Sequence, residues 1–126
     1  MGRSAAILLV DHGSRIAEAN AQLEEIARLL RAREPGRIVR VAHMELAAPG
    51  VSEGIEACVA DGAREIVVHP YLLAPGRHSS SDIPAAVAAA AARHPDVTIR
   101  VSAPLGVHEK IVDVVLERVN ESLAKR

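Results

Sequence analysis

Four short apolar runs along this chain alternate with four longer stretches in which apolar residues recur every three or four positions. The first run is Ile7-Leu8-Leu9-Val10, and it ends abruptly in Asp11-His12-Gly13-Ser14-Arg15. A continuous aliphatic run bounded by turn residues predicts a strand buried on both faces of a parallel sheet. Ile16, Ala19, Leu23, Ile26, Ala27 and Leu30 follow at helical spacing, with Glu18, Gln22, Glu25 and Arg28 between them. That is an amphipathic helix, and Glu34-Pro35-Gly36 ends it. Ile38, Val39, Val41 and Ala42 form a second strand that leads into His43-Met44-Glu45. Ala48-Pro49-Gly50 punctuates the chain, and Ser52 offers an N-cap for a helix carrying Ile55, Cys58 and Val59 up to Asp61-Gly62.

Ile66-Val67-Val68 predicts a third buried strand, followed by a long loop from His69 to His78 that contains two prolines and a glycine. Ser79 to Asp82 precede Ile83-Pro84 and an alanine-rich helix to Arg93, with Pro84 suited to an early helical position. His94-Pro95-Asp96 breaks the chain. Val97, Ile99 and Val101 alternate as a strand nearer the sheet edge, and Ala103-Pro104-Leu105-Gly106 turns. His108 opens a last helix with Ile111, Val112, Val115 and Val119 on one face.

Four strand–helix units with no linker imply parallel strands joined by right-handed helical crossovers. The expected fold is an α/β, doubly wound, four-stranded parallel sheet with helices on both faces, flavodoxin-like in class. The pattern alone does not dictate strand order; we expect 2-1-3-4, with strands one and three central. At 126 residues the chain is expected to be a single domain spanning 1–126.

Composition narrows the function. Tyr71 is the only aromatic residue, so the chain has no stacking platform for single-stranded nucleic acid. The net charge is −1, so no basic field calls for nucleic acid or an anionic membrane. Cys58 is the only cysteine, which excludes an internal disulfide and a multi-thiolate metal site. Its place in a helical apolar pattern marks it as a small core residue. The apolar run before Asp11 is too short for a signal peptide or a membrane span, so a cytoplasmic location is expected.

The polar residues then fall into place. In an open α/β sheet, ligands bind at the carboxyl ends of the strands. His12 follows strand one, His43 and Glu45 follow strand two, His78 and Asp82 follow strand three, and His108 follows strand four. Imidazole and carboxylate together suit divalent iron, cobalt, nickel or zinc. Plainer roles stand beside that one. His69 is expected to be packed at a strand end, and His94 to be exposed in a helix-ending turn. His43 reads as a buried, hydrogen-bonded strand residue, and His108 as a helix cap. Glu45 could serve a salt bridge or a proton transfer. Alone, Asp11 to Ser14 serves equally as a strand end or as a site.

In combination the motifs are specific. Val10-Asp11-His12-Gly13-Ser14-Arg15, Ala42-His43-Met44-Glu45-Leu46-Ala47, Pro75-Gly76-Arg77-His78 with Asp82-Ile83-Pro84, and Ala103-Pro104-Leu105-Gly106 with His108 occur in this order. From about Ile7 to Val119 the chain resembles the short class II tetrapyrrole chelatases, the sirohydrochlorin cobaltochelatases and ferrochelatases of cobalamin and sirohaem synthesis. The resemblance implies insertion of Co²⁺ or Fe²⁺ into sirohydrochlorin without ATP. It puts His12 and His78 on the family's two metal-binding histidines and Glu45 on its acidic residue. It further implies a homodimer whose two subunits replace the halves of the two-domain members, with the macrocycle in the cleft. Ser79-Ser80-Ser81 departs from the bulkier, sometimes aromatic or His-containing segment of several relatives, which removes the basis for an extra ligand there. The His-rich tract and the cysteine cluster of some relatives are missing, so no iron–sulfur cluster is expected.

The chemistry fits these residues. Metal insertion releases two pyrrole protons, and the donor site must hold its metal loosely. Two imidazoles with open coordination positions suit such a hand-over, and imidazole as a side-chain type also accepts protons near neutral pH. Glu45 is the expected proton acceptor. Arg15 and Arg77, with the Ser79, Ser80 and Ser81 hydroxyls, are expected to anchor the substrate's carboxylates. Rival readings are a nickel-inserting chelatase, a non-catalytic metal or tetrapyrrole carrier, and a structural module with incidental histidines. A histidine phosphatase fits poorly, because Asp11 stands where that motif needs a phosphate-binding arginine.

Overall fold

The computed structural model describes residues 5–124, with the backbone alone for residues 77–80. Strands β1 (Ala6–Asp11), β2 (Val39–His43), β3 (Glu65–Pro70) and β4 (Thr98–Val101) alternate with helices α1 (Ala17–Arg33), α2 (Val51–Ala60), α3 (Arg77–Arg93) and α4 (Glu109–Ala124). The strands form one sheet in the order β2-β1-β3-β4, and all three pairings are parallel. The expected class and strand order are both borne out.

Helices cover both faces of β1, which is aliphatic from Ala6 to Val10. Ala6, Leu8 and Val10 of β1, with Ile66 and Val68 of β3, pack against Ile55 and Cys58 of α2 and Ile83 and Ala90 of α3. On the opposite face Leu9 and Val39 pack against Leu23 and Ala27 of α1. The α2 contact is close. A Cβ on Gly54 would lie 2.8 Å from Leu8 Cδ1 and 3.0 Å from Ala42 Cβ, so this glycine lets the helix approach the sheet.

Helix starts differ from the pattern reading in two places. Gly50 rather than Ser52 caps α2, because its N–H donates to the Glu53 carboxylate at 2.7 Å. Helix α3 begins at Arg77, so His78 lies in its first turn rather than in the preceding loop. The serines and Asp82 that read as a loop are well suited to early helical turns, where backbone N–H groups lack carbonyl partners. Pro84 consequently lies inside α3, where it forgoes one i→i−4 hydrogen bond.

Helix α4 departs most. It buries none of its residues, and Val112, Val115, Leu116 and Val119 are each about half exposed. Among the described residues, no substantial contact joins α4 to the sheet or to the other helices. One face over β3 and β4 is correspondingly thin, with the exposed pair Arg100–Glu65 lying across it (3.2 Å).

Candidate active site

The carboxyl edge of the sheet is built by strands that keep pairing past their ends. In register, Asp11 faces His43. The ladder then continues as Met44 N–H donates to the Asp11 carbonyl (2.9 Å) and Glu45 N–H to the His12 carbonyl (3.0 Å). These two bonds set His12 and Glu45 side by side. Across the same edge, Tyr71 N–H donates to the Val10 carbonyl at 2.7 Å and Leu105 N–H to the Leu72 carbonyl at 2.9 Å. All four rim loops are thus tied into one frame.

Gly13 makes the first junction possible. Its φ is +90°, and a Cβ there would overlap the carbonyl oxygen of Glu45. Beyond it, the Ser14–Ile16 turn is clamped by Asn20. Ser14 N–H donates to Asn20 Oδ1 (2.9 Å), and the Asn20 amide donates back to the Ser14 carbonyl (2.7 Å). Ile16 N–H donates to Ser14 Oγ at 3.0 Å.

On this frame His12, Glu45 and Arg15 are exposed, and none has a side-chain hydrogen bond or ion pair among the described residues. Three chemically capable side chains are held by fixed backbone and left open to solvent. The Ser81 hydroxyl donates to Asp82 Oδ1 at 3.3 Å. The side chains of Arg77, His78, Ser79 and Ser80 lie outside the described residues; their backbone forms the first turn of α3. Among the described residues, no group of three His, Cys, Asp or Glu side chains could hold a metal ion.

The other histidines have local roles. His43 is 4% exposed, and its Nδ1 lies 2.6 Å from Asp11 Oδ1. His69 Nδ1 pairs with Ser102 Oγ at 2.8 Å, and its ring stands edge-on to Tyr71. Burial lowers the His69 pKa. His108 caps α4, its Nδ1 accepting from Lys110 N–H at 3.0 Å. His94, expected to be exposed, is half-buried and bonded to Glu56 at 2.9 Å. Arg93 and His94 together join α3 to α2 and hold the Glu56 carboxyl below its usual range. The turn-forming sequence around His94 concealed this long-range partner. Cys58 is buried, and desolvation pushes its thiol up to about 11, as befits a core residue.

A cavity of about 510 Å³ lies along the outer edge of β2, away from the rim. Its arginines are committed: Arg31 to the Val39 carbonyl, Arg37 to Glu34 and Arg40 to Asp61.

Comparison with known proteins identifies the family. The profile of the CbiX family matches residues 6–122. The chain belongs to the CbiX family. It is 40% identical over 124 residues to the chloroplastic sirohydrochlorin ferrochelatase of Arabidopsis thaliana, which covers 98% of this chain and 55% of that protein. It is 33% identical over 117 residues to the sirohydrochlorin cobaltochelatase of Sulfurisphaera tokodaii, covering 93% of this chain and 92% of that one. The sirohydrochlorin chelatase SirB of Bacillus subtilis subspecies spizizenii, solved in complex with cobalt, superposes with a TM-score of 0.84. There the identity is 35%, over 94% of this chain and 50% of SirB. The chain therefore spans about half the length of the plant and Bacillus relatives.

Within this CbiX-family rim, the pattern reading missed two features. The Asp11–His43 pair joins residues 32 positions apart, visible only once the β1–β2 register is known. Asn20 is not singled out by the pattern, and nothing local in the sequence marks it as the clamp on the Ser14 turn.

Proposed function

We propose that this protein inserts a divalent metal, Co²⁺ or Fe²⁺, into sirohydrochlorin without ATP. The observation that carries the proposal is the juxtaposition of exposed, unpartnered His12 and Glu45 on a frame fixed by the Glu45 N–H to His12 carbonyl bond. His12 and His78 present the metal, which is a substrate and leaves with the product. Imidazole nitrogens bind such ions well while leaving coordination positions open for the incoming pyrrole nitrogens. Glu45 takes one pyrrole proton as the metal enters, and the second passes to the solvent to which the rim is open. Arg15 and Arg77, with Ser79, Ser80 and Ser81, hold the substrate's peripheral carboxylates. The names and metals of the related proteins support this reading.

The test is an anaerobic assay with sirohydrochlorin in large excess over protein, following the macrocycle's absorbance with Co²⁺, Fe²⁺ and Ni²⁺. Many turnovers are expected with Co²⁺ or Fe²⁺. His12→Ala and His78→Ala are each expected to lower the rate at least 100-fold, and Glu45→Gln at least tenfold, within the usual range for a lost acid–base group. No acceleration over the uncatalysed reaction with any metal would reject a chelatase. Stoichiometric metal binding in that case would favour a carrier.

We further propose that two copies associate through α4. A helix with an apolar stripe needs a partner for it, and α4 has none among the described residues of its own chain. A second copy fits, because the SirB chain is twice as long as the part this chain matches. Sedimentation should find a dimer at micromolar concentration, and Val115→Glu should yield monomers of unchanged secondary structure. A monomeric wild type would refute the assembly.

A further inference from the structure

Among the described residues, Leu46 is the only non-glycine with a positive φ, at 69°. An L-residue there is strained, because its Cβ crowds the following carbonyl. Such strain persists only where the surroundings impose it. Here they do so from both sides. The preceding residue, Glu45, is bonded to the His12 carbonyl and its own carbonyl is wedged against Gly13. His43 N–H is tied to the Pro49 carbonyl at 2.8 Å, which closes the loop that contains Leu46. Strain of this kind normally accompanies core packing or a tight turn of glycine or asparagine. Leu46 does neither, since it is 53% exposed. The fold thus imposes the backbone conformation of Leu46, while its exposed side chain adds nothing to the core.

Its neighbours on the rim supply the second observation. The loops after β1, β3 and β4 also hold a large apolar side chain in solvent: Ile16 (62% exposed), Leu73 (69%) and Val107 (fully exposed). Every rim loop thus offers one aliphatic group at the edge where His12 and Glu45 stand. Single exposed aliphatics are ordinary on a protein surface; one per rim loop, with one of them strained, is not.

We infer that Leu46 is a substrate-contact residue whose side chain lies against the face of the tetrapyrrole macrocycle. This rests on the chelatase reading above and adds to it. Arginines and hydroxyls can hold the carboxylates at the ring's periphery. The ring face is apolar and needs aliphatic contact to leave water. Leu46 adjoins Glu45 in the chain, so the residue that removes a pyrrole proton and the residue that seats the ring move as one unit.

Two substitutions separate this from a structural role. Leu46→Gly removes the side chain and relieves the backbone. Leu46→Met keeps an aliphatic contact. Each is compared with wild type by titration with metal-free sirohydrochlorin, steady-state insertion of Co²⁺, thermal unfolding and sedimentation. Leu46→Gly should raise Kd and KM roughly fivefold to tenfold, the factor expected for losing about half of a leucine's burial. Its kcat should change less than its KM, and its melting midpoint should not fall. Leu46→Met should stay within about twofold of wild type in Kd. Wild-type affinity in Leu46→Gly overturns the inference while leaving the chelatase reading intact. Dissociation of the dimer with unchanged macrocycle affinity also overturns it, and assigns Leu46 to the subunit contact. A wild type that neither binds nor metallates sirohydrochlorin removes the chelatase reading and this inference together.

Discussion

Gly13→Ala should cripple metal insertion in a protein that still folds. A Cβ at this position would overlap the Glu45 carbonyl oxygen and lie 3.0 Å from its carbon and 3.1 Å from His43 Cβ. The obstacle is backbone and a buried side chain, so no surface rotamer can yield. The φ of +90° adds a second penalty for any L-residue. Together these point to a loss of about 2–4 kcal/mol, within the range for backbone and overpacking changes. For a chain of this length that is a fall of roughly 8–15 °C in melting midpoint. The catalytic effect should be larger than stability alone would give. Relief of the overlap must part the Glu45 segment from the His12 loop, and a shift of about 1 Å at reacting groups costs about 100-fold in rate. The measurement is kcat at 20 °C, well below both midpoints, alongside the melting curve. A rate within twofold of wild type would mean that the Gly13–Glu45 contact does not set the site.

Why Gly13 matters could be read only in part beforehand. The aliphatic runs and their turn residues placed all four strands. The positions of His12 and Glu45 just past two strand ends marked the rim, because a parallel sheet gathers its carboxyl ends. What the pattern could not supply was contact at long range. Gly13 read as a turn glycine; its close approach to Glu45 depends on the β1–β2 register. Leu46 carries no local signal of a left-handed φ, since nothing about leucine favours one. The stripe on α4 looks the same whether it faces its own sheet or another copy, so the sequence predicted a covering helix where the structure has an exposed one. His94 and Glu56 belong to different helices, and only the packing of α2 on α3 joins them.

The second large effect is expected at Asp11. Its carboxylate accepts from His43 Nδ1 at 2.6 Å, beneath the rim and next to His12 in the chain. His43 is 4% exposed, so it has little access to water as a substitute partner. Asp11→Leu should therefore leave a buried donor unsatisfied, at about 2–3 kcal/mol. The same change removes the side-chain tie across the last paired position of β1 and β2, the point from which the Glu45 N–H to His12 carbonyl bond extends. Insertion should slow at least tenfold as the His12–Glu45 spacing relaxes, an effect of geometry that Asp11→Asn should largely spare by keeping an acceptor in place. His43→Phe removes the donor and restores apolar volume. If the pair acts as a unit, Asp11→Leu combined with His43→Phe should be more stable than the sum of the single changes predicts, by about 1–2 kcal/mol in a double-mutant cycle. Strict additivity would show that Asp11 and His43 hold the rim separately. Coupling, with activity lost in Asp11→Leu and kept in Asp11→Asn, would make a buried hydrogen bond the part that keeps a solvent-exposed histidine and glutamate at working distance.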